Sequence, residues 1–225
     1  MIVIVRGCAG SGKTTAVRSI IDLYPERTVR MRDKHGYEII NVCKSHPTMN
    51  DCVVADRYTE QQRTASGGDS IKYVDQMKLL ADFVIAHGYD FVYEGWPHQS
   101  KQMIEYMSGL DSVTVMYMNE TSETIYERRK KRSLDRGYDN EFQTKTGTQD
   151  PERLKRDNES IAQLPKVELI DTHSHLVAQL YQQRSVKREI IDFNDDEIWD
   201  FRSLYDTQIG EKTKYKQRMY NHLFE

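Results

Sequence analysis

The chain opens with the stretch IVIVRGCAGSGKTT, which covers residues 2–15. Its first four residues are all β-branched, and such a run leading into glycine favours a short strand. Behind the glycines, apolar side chains recur at helical spacing until Pro25, namely Ala16, Val17, Ile20, Ile21 and Tyr24. The opening of the chain therefore predicts a strand, a glycine-rich loop and a helix in direct succession.

Residues 7–14 fit the pattern G-x-x-x-x-G-K-[ST], known as Walker A. Glycines let backbone N–H groups converge on phosphate oxygens, and the following helix N-terminus adds the positive end of its dipole. In such a loop we expect Lys13 to reach the β- and γ-phosphates of a nucleotide and Thr14 to bind Mg²⁺. The predicted nucleotide-binding residues are Gly7, Gly10, Ser11, Gly12, Lys13, Thr14 and Thr15. The alternative is a glycine-rich turn that binds no ligand.

Beyond the first helix the chain alternates between extended and helical patterns. Two extended stretches within residues 28–42 flank Asp33-Lys34-His35-Gly36, which predicts a hairpin. Further strands are expected at 52–55, 91–93, 113–118 and 167–170, and helices near 71–84, 122–132, 150–164 and 174–184. Strands separated by helices predict an α/β fold of three layers, in which helices cover both faces of a parallel sheet.

Composition narrows the class of protein. The 225 residues carry 32 Lys and Arg against 35 Asp and Glu, a net charge of −3, which excludes a uniformly basic nucleic-acid binder. Three cysteines without paired spacing and the lack of a long apolar run predict a cytoplasmic protein without disulfides or a membrane helix. We expect a core over residues 1–185 with a mobile lid at 133–149, and a C-terminal extension over 186–225.

A motif after the strand at 91–93 resembles a known kinase family. It reads Glu94-Gly95-Trp96-Pro97 and resembles the Asp-Gly-Phe-Pro-Arg of the adenylate kinase family. The resemblance implies a P-loop kinase fold in which Glu94 orients Mg²⁺ through water. The family's arginine binds the phosphate of the acceptor, but His98 stands in its place here, so a different substrate group is expected at this position. A solvated strand-end carboxylate is the alternative for Glu94.

The predicted helix at 122–132 carries Arg128 and Arg132, which are four residues apart and therefore share one face. Their position after a strand resembles the arginine-bearing lid stem of the same family. The resemblance implies that both guanidinium groups stabilise the phosphoryl group during its transfer. A solvated basic helix end is the alternative, because Arg129, Lys130 and Lys131 lie beside them.

The acceptor side is predicted from the end of the strand at 52–55. Asp56-Arg57-Tyr58 resembles the Asp-Arg-Tyr of thymidylate kinases and the strand-end acid of polynucleotide and deoxynucleoside kinases. The resemblance implies that Asp56 is the general base and that Arg57 clamps the substrate or a phosphate. A surface pair between Asp56 and Arg57 is the alternative.

A second motif on this side, Gly67-Gly68-Asp69-Ser70-Ile71, places Asp69 either as a helix N-cap or as a substrate ligand. The choice of general base between Asp56 and Asp69 stays open. Taken in order, these motifs are similar to those of phage-encoded P-loop kinases linked to DNA base hypermodification. The best-defined activity in that group is phosphorylation of 5-hydroxymethyluracil in DNA, which implies ATP and Mg²⁺ as cofactors and DNA as the substrate.

Further features bear on partners. The end of the chain mixes Lys212, Lys214, Lys216 and Arg218 with aromatic residues, which is typical either of a nucleic-acid contact or of a packed C-terminal helix. His173 and His175 lack a third ligand and do not predict a metal site. The rival functions are a nucleoside, nucleotide or polynucleotide 5′-hydroxyl kinase and a nucleic-acid-stimulated NTPase switch. No stable protein partner is inferred.

Overall fold

The computed structural model of the chain describes residues 1–33, 36–55, 58, 71, 73–95, 98–135 and 151–207. The strands are β1 (Ile2–Arg6), β2 (Glu26–Arg32), β3 (Glu38–Lys44), β4 (Cys52–Ala55), β5 (Asp90–Glu94), β6 (Val113–Met118) and β7 (Val167–Thr172). The helices are α1 (Lys13–Ile21), α2 (Val74–Ala86), α3 (Lys101–Leu110), α4 (Ser122–Asp135), α5 (Pro151–Ile161) and α6 (Val177–Gln182), with a further helix, α7, over 195–207. Each strand and helix that the alternating pattern predicted is present, although several ends are shifted.

All seven strands form one sheet in the order β2-β3-β4-β5-β1-β6-β7. The five strands from β4 to β7 in this order run parallel, so their carboxyl ends meet at one edge of the sheet. This confirms the predicted α/β class. The sheet is mixed rather than wholly parallel, because β2 and β3 pair antiparallel with each other and β3 pairs antiparallel with β4.

The antiparallel edge follows from the short connection between β2 and β3. A connection this short can only reverse the chain, whereas parallel neighbours need a crossover of about a dozen residues or more. In the turn, Asp33 accepts a hydrogen bond of 2.8 Å from the backbone N–H of Tyr37, and Gly36 has a left-handed φ of 79°. The hairpin predicted around residues 33–36 is therefore present, and it extends the sheet beyond β4.

The core lies on both faces of the sheet. In β1, Ile2 and Ile4 point to one face while Val3 and Val5 point to the other, as the alternation of a strand requires. Helices α2 and α3 cover the first face, and α1 and α6 cover the second. The central strand is therefore enclosed on both sides, which explains its uninterrupted run of β-branched residues.

Helix α3 was not predicted from the sequence. Ser100 caps it by accepting a hydrogen bond of 3.3 Å from the backbone N–H of Met103, and Met103, Ile104 and Met107 are buried. This i, i+1, i+4 spacing behind a serine was a usable signal.

The chain after α6 also packs on the first face of the sheet, where Phe193, Phe201 and Tyr205 join the core. Within the described ranges, no helix has the length and apolar character needed to cross a membrane.

Candidate functional site

The candidate site lies at the carboxyl edge of the parallel strands, where β1 leads into the loop at residues 7–12, here called the phosphate loop. Gly12 is the N-cap of α1 and has a left-handed φ of 94°, and Gly10 has a φ of 90°. A Cβ on Gly10 would lie 2.9 Å from Cγ of Arg129, and one on Gly12 would lie 3.2 Å from Cβ of Ser174. Both positions need glycine for conformation and for space.

The first turn of α1 forms the floor of the phosphate loop. Gly12 offers no side-chain cap, and the turn contains no acidic residue. Its leading N–H groups therefore have the arrangement in which helix N-termini bind anions. Thr14 is half-buried and Thr15 is exposed in this turn.

Lys13 and Ser11 face the interior of the phosphate loop. The Nζ of Lys13 donates hydrogen bonds to the carbonyl oxygens of Gly7 at 3.0 Å and Cys8 at 2.8 Å. The side chain of Ser11 is fully buried, and its Oγ has no hydrogen-bond partner among the described residues. That Oγ lies 2.6 Å from the position a Cβ would take on Gly7, so it points across the loop. An orphaned hydroxyl, an ammonium group and uncapped amides fit a phosphate-bearing cofactor.

Helix α4 and the turn after β7 form a wall beside the phosphate loop. Nη1 of Arg128 lies 3.6 Å from the position of a Cβ on Gly12 and 3.4 Å from Oε1 of Glu120. The same carboxylate oxygen lies 3.6 Å from Nδ1 of His173. Arg128 thus lies beside the loop, while Arg132 lies one turn further along α4. The predicted phosphate-facing role of both arginines stays a prediction.

Glu94 ends β5 next to the phosphate loop. It pairs in register with Val5 of β1, so its backbone lies beside the start of the loop. Its side chain is 2% exposed, and Oε1 accepts a hydrogen bond of 3.5 Å from Tyr58. This burial does not agree with the alternative of a solvated strand-end carboxylate.

His98, predicted as a substrate contact, lies in the core beside Ile71. Its side chain is fully buried, and Nε2 lies 2.6 Å from the carbonyl oxygen of Ile71. The backbone carbonyl of His98 also accepts a hydrogen bond of 3.3 Å from Tyr93. These contacts hold His98 in the core, and its predicted role as a substrate contact stays a prediction.

Several predicted site residues lie outside the described part of the chain. These are Asp56, Arg57, Asp69, the lid residues 136–149 and the basic tail at 208–225. Helix α4 continues through residues 133–135, where the sequence predicted the beginning of the lid. The backbone of β4 runs parallel to β5 with Val54 opposite Val92, so the strand that leads to Asp56 ends beside the strand that ends at Glu94.

The predicted Mg²⁺ site depends on two oxygen donors, Thr14 and Glu94. Among the described residues, no group of three or more His, Cys, Asp or Glu side chains is placed to hold a metal ion. Magnesium at nucleotide sites takes one or two protein ligands and is otherwise bound by phosphates and water. The binding of Mg²⁺ by Thr14 and Glu94 therefore stays a prediction. A site with two protein ligands agrees with this coordination.

The sequence did not indicate Glu120, which joins Arg128 to His173. The signal that could have indicated Glu120 was its position two residues after β6, at the same edge of the sheet as the phosphate loop.

No protein-family model matches the chain, and the search of curated proteins gave no match. The assignment of a function therefore depends on the residues of the site.

Proposed function

We propose that this protein is an ATP-dependent P-loop kinase that transfers the γ-phosphate to a hydroxyl group on a nucleic-acid base. The acceptor that the sequence resemblance favours is 5-hydroxymethyluracil in DNA. The observation that carries the proposal is the phosphate loop at the end of β1, with Lys13, Arg128 and Glu94 at the same edge of the sheet.

The phosphate loop supplies the donor half of the site. Lys13 now donates to two neutral carbonyl oxygens, and a phosphate is a stronger, charged acceptor for the same ammonium group. Arg128 is exposed and weakly paired at 3.4 Å, so it is available to neutralise charge on a transferring phosphoryl group. Thr14 and Glu94 would hold Mg²⁺, which neutralises charge on the donor phosphates when bound.

The acceptor half of the proposal depends on Asp56 and Asp69. In the reaction, a base hydroxyl forms a new P–O bond to the γ-phosphorus while the bond to ADP breaks, and Asp56 or Asp69 accepts the hydroxyl proton. The exposed basic residues Lys130 and Lys131 on α4 support a polyanionic substrate near this edge.

Transfer of labelled γ-phosphate from ATP with Mg²⁺ tests the proposal. The acceptors are 5-hydroxymethyluracil DNA, ordinary DNA, 5′-hydroxyl oligonucleotides, and free nucleosides and monophosphates. We expect label on the modified base, with loss of at least about 100-fold in Lys13→Ala. The matched control is Lys187→Ala, because Lys187 is half-exposed near Asp51 at the opposite edge of the sheet.

The pattern of products separates the rivals. Label only on a free nucleotide or a 5′ end would reject the DNA-base acceptor and retain a kinase. ATP hydrolysis without any labelled acceptor would indicate the NTPase switch. Label in Lys13→Ala equal to that of the unchanged chain would contradict the phosphate-loop assignment.

A further inference from the structure

Three polar side chains lie directly behind the phosphate loop and have no part in the proposed chemistry. Arg6 is the last residue of β1, and Gln99 lies between β5 and α3; both side chains are 1% exposed. Asp157 lies on α5, and its side chain is 45% exposed. These three residues, here called the loop anchor, come from three distant parts of the chain.

The contacts of the loop anchor form a chain that ends on the phosphate loop. The backbone N–H of Gly7 donates a hydrogen bond of 3.0 Å to Oε1 of Gln99. Nη1 of Arg6 donates to the backbone carbonyl of Gln99. Nη2 of Arg6 donates to Oδ2 of Asp157 at 3.3 Å. Gln99 therefore holds the first amide of the loop. Arg6 in turn holds Gln99, and Asp157 holds Arg6.

Burying the polar groups of the loop anchor costs free energy of folding. Burial lowers the pKa of Arg6, and the nearby carboxylate of Asp157 only partly opposes this effect. Nε of Arg6 and Nε2 of Gln99 are buried without a hydrogen-bond partner among the described residues. Replacing buried charged groups such as Arg6 with apolar side chains is often neutral or stabilising. Stability alone therefore gives little reason for an arginine at the end of an otherwise apolar strand.

We propose that Gln99, Arg6 and Asp157 are positioning residues for nucleotide binding, because together they fix the first amide of the phosphate loop and tie the loop to α5. This inference rests on the proposed function. With the N–H of Gly7 held from behind, the loop keeps its concave shape before a ligand arrives, and less conformational entropy is lost on binding.

Substitutions at Gln99 test the inference through the dissociation constant of a fluorescent ATP analogue with Mg²⁺. Gln99→Met keeps the length of the side chain but removes the acceptor for Gly7, whereas Gln99→Glu keeps an acceptor oxygen and adds a charge close to Arg6. We expect the dissociation constant to rise about tenfold in Gln99→Met, the effect of losing one buried hydrogen bond. In Gln99→Glu we expect it to stay within about twofold of the unchanged chain.

A second pair of variants tests the far end of the anchor. Asp157→Asn removes the charge that pairs with Arg6 at a half-exposed position, so it is expected to fold even if Gln99→Met does not. Glu159→Gln is the matched control, because Glu159 is exposed on the same helix. We expect weaker nucleotide binding in Asp157→Asn and unchanged binding in Glu159→Gln.

Urea unfolding of the same variants separates positioning from stability. If the anchor residues are merely structural, the substitutions will lower the urea midpoint of unfolding but leave the nucleotide affinity of the folded protein unchanged. This result would overturn the inference. Loss of affinity in Gln99→Met with recovery in Gln99→Glu would establish it. Failure of the unchanged chain to bind ATP would instead contradict the proposed function, and the inference with it.

Discussion

Glu94 has an unusual environment for a carboxylate, because its side chain is 2% exposed at the end of a parallel strand. A buried carboxylate needs compensation from donors or cations. The hydroxyl of Tyr58, at 3.5 Å, supplies one donor. A hydrated magnesium ion beside the phosphate loop, as proposed above, would add positive charge near this carboxylate.

The variant Glu94→Gln tests this role. It keeps the size of the side chain and an acceptor for Tyr58, but it removes the charge that would order Mg²⁺. We expect the rate of phosphoryl transfer to fall about 100-fold, with a higher Mg²⁺ requirement. The measurement is the initial rate across a Mg²⁺ titration, with Glu105→Gln on the exposed side of α3 as control. An unchanged rate and Mg²⁺ dependence would remove Glu94 from the metal site.

At the scale of elements, an aromatic cluster packs α7 and the segment before it against α2. The ring of Phe83 on α2 stacks on Phe193 at 4.9 Å and on Phe201 at 4.6 Å, and Tyr89 stacks on Phe193 at 4.7 Å. Such pairs add to the free energy of burial. The segment through α7 is therefore an integral part of the core on this face of the sheet.

Truncation of the aromatic cluster is expected to be costly. Phe201→Ala leaves a cavity beside Phe83 and should lower the free energy of unfolding by about 3–5 kcal/mol. Trp199→Ala is the matched control, because Trp199 lies on the same helix and is 69% exposed; it should change stability by less than about 0.5 kcal/mol. The measurement is urea unfolding followed by circular dichroism. Equal effects of the two variants would show that α7 does not contribute to the core.

Across the whole molecule, the carboxyl and amino ends of the parallel strands differ in the residues that surround them. The carboxyl edge holds the candidate site, whereas the amino edge holds a polar network that ties the chain after α6 to the sheet. There, buried Asp90 accepts hydrogen bonds from Ser185 at 2.6 Å and Tyr181 at 3.2 Å. Asp111 accepts from Arg188 and from the amino group of Met1, both at 2.6 Å. Substitutions at this edge should affect stability more than chemistry.

The acid stability of the protein should depend on Asp111. Burial acts to raise the pKa of this carboxyl, but hydrogen bonds from the amino group of Met1 and from Arg188 outweigh burial and lower the pKa to about 2. Because the unfolded value is about 3.9, the carboxylate stabilises the fold above about pH 4, and this contribution is lost as the pH falls toward about 2.

The variant Asp111→Asn isolates this contribution. We expect it to be less stable than the unchanged chain near neutral pH, with the difference shrinking as the pH falls from about 4 to about 2. Urea unfolding across this range measures the difference. Arg188→Gln should show a smaller loss with the same pH dependence, because the amino group of Met1 still contacts Asp111. A difference that stays constant over the whole range would contradict the assignment.

The local pattern of residues was enough to predict β1, a glycine-rich loop at residues 7–12, α1 and the hairpin after residue 32. Each of these depends on neighbouring residues, through β-branching, glycine spacing and turn chemistry. The alternation of strands and helices likewise predicted the α/β class. The acceptor residues Asp56, Arg57 and Asp69 stay predictions because they lie outside the described residues. The kinase activity stays a prediction because it depends on which substrates bind.

Other features depended on contacts between residues far apart in the chain. The antiparallel edge required knowing which strand β3 pairs with, and the buried state of Glu94 and His98 required knowing what packs over them. The loop anchor joins residues 93 and 151 positions apart, from Arg6 to Gln99 and to Asp157. Local propensity carries no information about such pairs, because hydrogen bonds and burial between distant segments arise only when the sheet brings those segments together.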